Sequence, residues 1–474
     1  MVFSSIVFLL YFLPIFLIAY FLVGKKYKNL VILLFSVFFY SWGAPKFIFV
    51  ILLTTFLDFH LVKWMCKTTN VSIRKWILFF SVSMNLGLLF YFKYSNFFIE
   101  NINSVLQVLG VKNIEWVKLI LPIGISFYTF ETITYVVDVY RRIHKPLLNF
   151  WDYLLYIILF PKLIAGPIVR YHELADQIKD RSKEETTENR LAGFYRFSIG
   201  LAKKVLIANQ VGVIADHVFQ SNFNDLSILT AWVGVLAYTF QIYFDFSGYS
   251  DMAIGIAKMI GFKFPENFDN PYVSKSVTEF WRRWHISLGN WMRNYLYIPL
   301  GGSKVDTKRR LFFNLWIVFL LSGLWHGASW GFIVWGAYHG LFLVIERAGF
   351  HKILSKIGKF PSTFFTFLVI AIGWVFFRVE KVDDSFVYLH RLFSFDDFKI
   401  QSFDKESYTF FCLAIFFSFF TYTKIGQKIH DKIFFQTFSN RFHFILTTVS
   451  ILLFAFSVSS ITAFGFNPFI YFRF

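Results

Sequence analysis

The sequence predicts an all-helical protein that crosses a membrane many times. Of its 474 residues, 56% are hydrophobic, 22% aromatic and only 16% charged, and the mean hydropathy is +0.55. Soluble domains are about 45–50% apolar. Residues 2–23 carry no charge, and about 20 such residues span a hydrocarbon core of about 30 Å. We therefore expect about 11–13 transmembrane helices with additional re-entrant or interfacial helices.

The charge distribution excludes a nucleic-acid-binding role and orients the chain. Lys and Arg number 47 against 29 Asp and Glu, a net charge of +18, and the excess lies in short loops between apolar runs, as the positive-inside rule describes. Lys25, Lys26 and Lys28 place the end of the first run in the cytoplasm, and the basic loop 424–441 does the same before the last run. Both termini are therefore predicted to be extracytoplasmic.

The apolar runs follow one another without a soluble insertion long enough to form a separate domain, so we predict a single domain over residues 1–474. After 2–23 they cover 30–40, 47–65, 76–92, 117–139, 153–168, 228–246, 312–324, 330–345, 364–377, 410–422 and 444–466. Gly and Pro interrupt 121–124, 160–167 and 255–271. Broken helices at membrane depth are tolerated where protein or a wet cavity satisfies the freed backbone, which predicts an internal cavity.

The segment 279–293 combines aromatic and basic residues at helical spacing. On one helix, the residues sharing an apolar face are Trp281, Trp284, His285, Leu288 and Trp291. The polar residues left on other faces are Arg282, Arg283, Asn290 and Arg293. This pattern is typical of an interfacial helix with snorkelling arginines and a structural histidine. A functional role for His285 requires a second polar group nearby.

His326 supplies such a group, because it lies in an apolar stretch beside Gly323, Gly327 and Gly331. Glycines every fourth residue allow close approach of a helix or ligand. A buried neutral imidazole could accept a proton from a hydroxyl as a general base, or it could simply pack between helices. Other ionisable residues in apolar runs are more typical of packing or hydrogen bonding; they are Asp58, Glu131, Asp138, Asp245 and Asp251. Cys66 and Cys412 have no metal-ligand spacing, so we predict no metal site.

Seven ordered motifs resemble those of the membrane-bound O-acyltransferases, in particular the bacterial branch that includes alginate and peptidoglycan O-acetylation proteins. They are LPIGISFYTF at 121–130, IAGPIVR at 164–170, QIYFDFSGYSD at 241–251, PENF at 265–268, WRRWHISL at 281–288, YIPLGG at 297–302 and GLWHG at 323–327. The motif-bearing core covers about residues 120–345, and 442–474 form a final span with an aromatic tail.

The resemblance implies a helical domain with a central tunnel, in the bacterial cytoplasmic membrane, that passes acetyl from a cytoplasmic donor to a cell-envelope polysaccharide. The implied donor is acetyl-CoA as substrate, with no bound cofactor. His326 matches the family's catalytic histidine, and His285 matches its second site, where the role could be catalytic or structural. Donor-binding residues are then expected to be Trp284, Arg282, Arg283, Asn290, Arg293 and Trp325. A periplasmic SGNH-type esterase-like partner would reach the polysaccharide.

Two alternatives remain open. The tail 469–474 is either an aromatic interface anchor or, by its likeness to the endings of this branch, an acyl relay in which Tyr471 carries the acetyl group as a phenyl ester. A transporter with a midplane histidine and broken helices is the alternative function. The chain shows no paired half-chain repeat of the kind that many transporters carry.

Overall fold

The computed structural model describes residues 1–395, 397–436, 438–465 and 468–470, with the backbone alone at 464. These residues are helices and connecting turns without a β-strand, and their one β-type contact is an isolated antiparallel bridge between Phe268 and Trp284. The prediction of an all-helical polytopic membrane fold is confirmed.

Six described helices are each long and apolar enough to cross a membrane: Ile48–Lys67, Val71–Val108, Thr187–Gln220, Ile228–Met259, Lys359–Arg378 and Asn440–Ala463. Lys405–Tyr422 and Lys424–Phe435 pass the same test together but meet at 92°, as a broken span or a re-entrant loop would. The other predicted runs form shorter helices, which suit the expected broken and re-entrant elements. The chain is a multi-pass membrane protein, and the orientation of its termini stays a prediction.

The chain divides into two compact units. The single domain over residues 1–474 stays a prediction. Unit 1 comprises Met1–Arg190 and Ile256–Pro265. Its α-helices are α1 (Leu13–Leu22), α2 (Lys28–Gly43), α3 (Ile48–Lys67), α4 (Val71–Val108), α5 (Ile125–Tyr140), α6 (Phe150–Ile158), α7 (Phe160–Leu163) and α8 (Tyr171–Lys179). A π-helical turn, Val7–Phe12, leads into α1, and 3₁₀ turns cover Lys25–Tyr27 and Ser182–Glu184.

The predicted interruptions in unit 1 are present. α5 begins after Gly124, whose backbone is left-handed (φ +76°), and a Cβ there would lie 2.7 Å from the Leu163 carbonyl oxygen. Leu159 separates α6 from α7, and the chain leaves helical structure after Leu163. Glycine is required at 124 because a side chain would meet both backbone strain and a clash.

Unit 2 comprises Leu191–Gly255 and the described residues from Glu266 onward. Its α-helices, the first and third of which begin or end in unit 1, are α9 (Thr187–Ala202), α10 (Asn209–Gln220), α11 (Ile228–Met259), α12 (Val277–Arg283), α13 (Ile286–Trp291), α14 (Lys308–His326), α15 (Trp330–Ile345), α16 (His351–Lys356), α17 (Lys359–Arg378), α18 (Val382–Leu392), α19 (Lys405–Phe419), α20 (Lys424–Phe435) and α21 (Asn440–Phe464). π-helical turns cover Lys203–Ala208, Met292–Tyr297 and Glu346–Phe350, and 3₁₀ turns cover Phe223–Asp225, Pro271–Val273 and Phe420–Tyr422. A large aromatic cluster forms its core.

Candidate active site

His326 is the last residue of α14, which packs closely against α15. A Cβ on Gly323 would lie 2.2 Å from the Phe332 carbonyl oxygen, and one on Gly336 would lie 2.5 Å from the Phe319 carbonyl oxygen. Only glycine permits this backbone approach, which fixes where α14 ends relative to α15.

The three glycines around His326 do not form one smooth helix face, contrary to the expectation from their spacing. Gly327 ends α14 with an extended backbone, and Gly331 lies in the first turn of α15. The helix ends because residues 327–329 turn the chain back, which the fourfold spacing alone does not reveal. Gly331 instead approaches α17, since a Cβ there would lie 2.9 Å from the Phe376 carbonyl oxygen.

The His326 ring is buried among aromatic rings. Its centroid lies 5.0 Å from that of Trp325 and 5.2 Å from those of both Trp335 and Phe377. Trp335 and Phe377 belong to the aromatic core cluster of unit 2. These contacts place the His326 ring against the aromatic core of unit 2.

The start of α12 is held by side chains that satisfy its first amides. The Ser276 hydroxyl accepts from the Glu279 amide at 3.0 Å. The Glu346 carboxylate accepts from the Val277 amide at 2.6 Å and from the Thr278 amide at 2.9 Å. An N-cap and an acceptor with negative charge both stabilise this helix end.

The segment 279–293 is two helices rather than the one continuous helix expected from periodicity. α12 ends at Arg283, His285 has a left-handed backbone (φ +47°), and α13 begins at Ile286. The cause is a contact far away in sequence: the Ile286 amide donates to the Asn267 carbonyl at 2.9 Å. The break nevertheless leaves the predicted apolar residues directed inward. Trp284, His285, Leu288 and Trp291 are buried, and Trp281 is half-buried.

Asn267 also determines which nitrogen of the neutral His285 ring carries the proton. Its side-chain oxygen accepts from the Ser287 amide at 3.2 Å and from the Ser287 hydroxyl at 2.8 Å, so this atom is the oxygen. His285 Nδ1 lies 3.1 Å from the same oxygen and must therefore donate to it, which leaves Nε2 as the proton acceptor of the neutral ring. Burial lowers the pKa of His285, which lies outside the six long apolar helices, to about 3. The ring is neutral at physiological pH.

His285 and His326 both contact the ring of one tryptophan, Trp325. The Trp325 centroid is 6.2 Å from that of His285 and 5.0 Å from that of His326. The structure thus brings together the two histidines singled out from the sequence, both in contact with Trp325, while Trp284 is buried in the core cluster of the same unit.

The predicted donor-binding polar residues lie in different environments. Arg282 and Arg293 are exposed, and Asn290 is half-buried. Arg283 pairs with the carboxylates of Glu279 at 3.0 Å and Asp269 at 3.2 Å. Arg282 and Arg293 present their charge to the surroundings, whereas much of the Arg283 charge is compensated within the protein.

His339 is a third buried histidine that sequence reasoning missed. Its ring contacts those of Trp281 and Trp335 at centroid distances of 4.9 and 5.1 Å. Neither ring nitrogen has a hydrogen-bond partner among the described residues. Since Trp335 also contacts His326, the two histidines lie against the same indole. The available signal was an ionisable residue within an apolar helical run.

The five intramembrane carboxylates are paired, as their interpretation as packing or hydrogen-bonding groups predicts. In unit 1, Asp58 accepts from Ser81 and Asn85, Glu131 pairs with Lys162, and Asp138 with His172. In unit 2, Asp245 pairs with Lys204, and Asp251 with Arg196 and Lys203. Among the described residues, no group of three or more His, Cys, Asp or Glu side chains could hold a metal ion.

The aromatic tail enters unit 2 as far as it is described. Phe469 and Ile470 are buried, and Ile470 belongs to the core cluster that includes Trp335 and Phe377. Tyr471, the predicted relay residue, lies outside the described residues.

Comparison with known proteins gives a match to a family and to several named relatives. Residues 37–376 match the family described as MBOAT, membrane-bound O-acyltransferase family. The chain is 43% identical over 417 residues to a probable alginate O-acetylase AlgI of Azotobacter vinelandii, covering 86% of this chain and 81% of that protein. It is 35% identical over 443 residues to a peptidoglycan O-acetyltransferase of Helicobacter pylori, covering 86% and 83%. It is 31% identical over 270 residues to a teichoic acid D-alanyltransferase of Bacillus subtilis, covering 55% and 67%.

Proposed function

Since the chain belongs to the membrane-bound O-acyltransferase family, we propose that it takes acetyl from cytoplasmic acetyl-CoA and passes it across the membrane for O-acetylation of a cell-envelope polysaccharide. The resemblance seen in the sequence motifs is confirmed, and the protein is a membrane acyltransferase. The proposal rests chiefly on one observation: His326 is buried against Trp335 and Phe377, and both of these belong to the core cluster that also contains Ile470.

In the proposed first step, His326 acts as general base. Its neutral imidazole takes the proton of the attacking hydroxyl as the oxygen adds to the thioester carbonyl. The carbon–sulfur bond then breaks, an oxygen ester forms, and the proton passes to the departing CoA thiolate. A buried neutral histidine suits this role because it can accept a proton at neutral pH without first losing one.

The proposed attacking hydroxyl is that of Tyr471. CoA is charged and remains on the cytoplasmic side, so a nucleophile belonging to the protein is needed to carry acetyl outward. A phenyl ester is reactive enough to pass its acyl group to a further hydroxyl. The burial of Ile470, one residue before Tyr471, supports a tail that reaches the core rather than one that only lies at the membrane surface.

The proposed acceptor of the tyrosyl ester is the serine of a periplasmic SGNH-type partner, which then acetylates the polysaccharide. The relatives' names include both alginate and peptidoglycan O-acetylation. The proposal therefore specifies an envelope polysaccharide hydroxyl as the final acceptor. Because the named relatives are acyltransferases, the alternative of a transporter is not favoured.

The variant Tyr471→Phe tests the relay, since it keeps the ring and removes only the hydroxyl. We expect polymer acetylation in cells to be lost while the amount of membrane-inserted protein is unchanged. Mass spectrometry of the C-terminal peptide from wild-type protein incubated with acetyl-CoA should show an added acetyl group. Wild-type acetylation by Tyr471→Phe would show that the tail is only an anchor.

A further inference from the structure

A buried ion pair in unit 2 binds the backbone of the tail. Lys204, in the π-helical turn after α9, pairs with Asp245 of α11. Lys204 Nζ also donates to the Pro468 carbonyl at 3.2 Å, and the Ile470 amide donates to Asp245 Oδ2 at 2.9 Å. Each member of the pair thus makes its second bond to the tail.

The side chain of Phe469, the residue between these two backbone hydrogen bonds, is also in contact with unit 2. Lys204 Nζ lies 4.7 Å from the centroid of the Phe469 ring, a cation–π distance. The edge-to-face contact of Phe469 with Tyr249 has a centroid distance of 4.6 Å. Because both a carbonyl and an amide are bound, a shift of the tail by one residue would break both hydrogen bonds.

A neighbouring ion pair shows that contact with the tail is not a general property of buried charges here. Lys203 pairs with Asp251 at 2.7 Å, and Asp251 is also bound by Arg196 at 2.6 Å. Among the described residues, this second pair makes no hydrogen bond to residues 468–470. The two pairs lie on the same two segments, yet of these two pairs only Lys204–Asp245 is hydrogen-bonded to the described tail residues 468–470.

We propose that Lys204 and Asp245 are positioning residues that hold Pro468–Ile470 in register, so that the residue that follows is presented to the acyl-transfer site. Burying two charges has a large desolvation cost, which their mutual attraction offsets only when the remaining hydrogen bonds are also made. The tail supplies two of those bonds. The inference rests on the proposed function for its purpose, but the binding of the tail can be measured without any activity.

The first measurement is the accessibility of the tail. In a Cys66→Ser/Cys412→Ser background, Ile470→Cys keeps the backbone amide and adds a single thiol at a buried position. We expect slow labelling by a water-soluble maleimide in detergent-purified protein. Adding Lys204→Met/Asp245→Asn leaves no unpaired charge. It removes the bond from Lys204 to the Pro468 carbonyl and leaves the Ile470 amide without a charged acceptor. Labelling should therefore accelerate at least about tenfold.

The matched control is Lys203→Met, which leaves Asp251 paired with Arg196. Labelling in this variant should stay within about threefold of the parent, since the tail bonds are intact. Lys204→Arg keeps a cation beside Asp245 and should restore slow labelling. Equal labelling rates in the parent and the Lys204→Met/Asp245→Asn protein would overturn the proposal, as would fast labelling in the parent.

The second measurement separates this inference from the relay. The rate at which the C-terminal peptide is acetylated should fall in Lys204→Met/Asp245→Asn. It should be close to the wild-type rate in Lys204→Arg. If wild-type protein never acquires acetyl on this peptide, the relay fails while the labelling result still decides whether the pair binds the tail. If the wild-type peptide is acetylated and the double variant acetylates equally fast, the pair has no positioning role.

Discussion

The buried carboxylates of unit 1 and the two candidate-site histidines of unit 2 lie in different surroundings. In unit 1, Glu131 and Lys162 are fully buried and form an ion pair, and Asp58 accepts hydrogen bonds from two neighbouring side chains. In unit 2, His285 and His326 are buried against aromatic rings. Glu131 and Asp58 of unit 1 thus have charged or polar side-chain partners, whereas the two imidazoles of unit 2 pack among aromatic rings, with His285 also bonded to Asn267.

This difference predicts which substitutions change the stability of the protein and which change its activity. A carboxylate paired with a cation in an apolar interior depends on that partner, because removing one member leaves the other buried without compensation. A neutral imidazole in an apolar wall keeps a lone pair that can accept a proton. We therefore expect substitutions at the first kind of group to change stability, and substitutions at the second to change activity at nearly constant stability.

The largest expected effect is that of His326→Ala on activity. Loss of a general base lowers a rate by about 10²–10⁴-fold, so polymer acetylation should nearly vanish while the purified protein elutes normally on size exclusion. His60→Ala, at an exposed histidine of unit 1, is the control and should acetylate normally. Near-normal acetylation by His326→Ala would remove this histidine from the mechanism.

Lys162→Met should lower stability while leaving activity per folded molecule unchanged. It leaves the Glu131 carboxylate buried without its cation, and breaking such a pair lowers the free energy of unfolding by about 3–5 kcal/mol. We expect low yield and a reduced thermal midpoint, with normal activity per folded molecule. Lys162→Met/Glu131→Leu should recover most of the stability. A single variant as stable as wild type would show that this pair does not stabilise unit 1.

The sequence was sufficient for the helical membrane fold and for the burial of His326, because both depend on local composition and short motifs, and the catalytic role of His326 stays a prediction. It was insufficient at His285, where an uninterrupted aromatic periodicity predicted one helix. The break depends on Asn267, which is 18 residues earlier and takes the hydrogen bonds of Ile286 and Ser287. Periodicity describes which residues face inward, but it does not show which backbone amides have partners elsewhere in the chain.

Asn267→Ala should have an intermediate effect on both the acetylation activity and the free energy of unfolding. It removes the acceptor that orients His285 and leaves the Ser287 amide without its side-chain partner, which costs about 1–3 kcal/mol. Activity should fall by about tenfold, with a lower thermal midpoint. Ser250→Ala is the control, since it removes only the partner of the Asn267 amide nitrogen. Wild-type activity in Asn267→Ala would make His285 a packing residue.

The smallest expected effects compare two adjacent arginines. Arg282 is exposed, whereas Arg283 is paired with Glu279 and Asp269, so of the two we expect only Arg282 to contact the phosphates of the proposed acetyl-CoA donor. Arg282→Ala should raise the acetyl-CoA concentration for half-maximal activity by about threefold to tenfold, and Arg282→Lys should raise it less, because the cation remains while the forked geometry is lost.

Arg283→Ala should leave the donor dependence unchanged and lower the free energy of unfolding by less than about 1 kcal/mol, as is usual for partly exposed ion pairs. Raising the salt concentration should reduce the difference between wild type and Arg282→Ala, because screening weakens exposed charge interactions. If Arg283→Ala raised the half-maximal donor concentration while Arg282→Ala did not, the paired arginine would be the donor contact. An arginine already paired with carboxylates of the protein would then take part in the chemistry of unit 2, and the division between stabilising ion pairs and residues that act on the substrate would fail there.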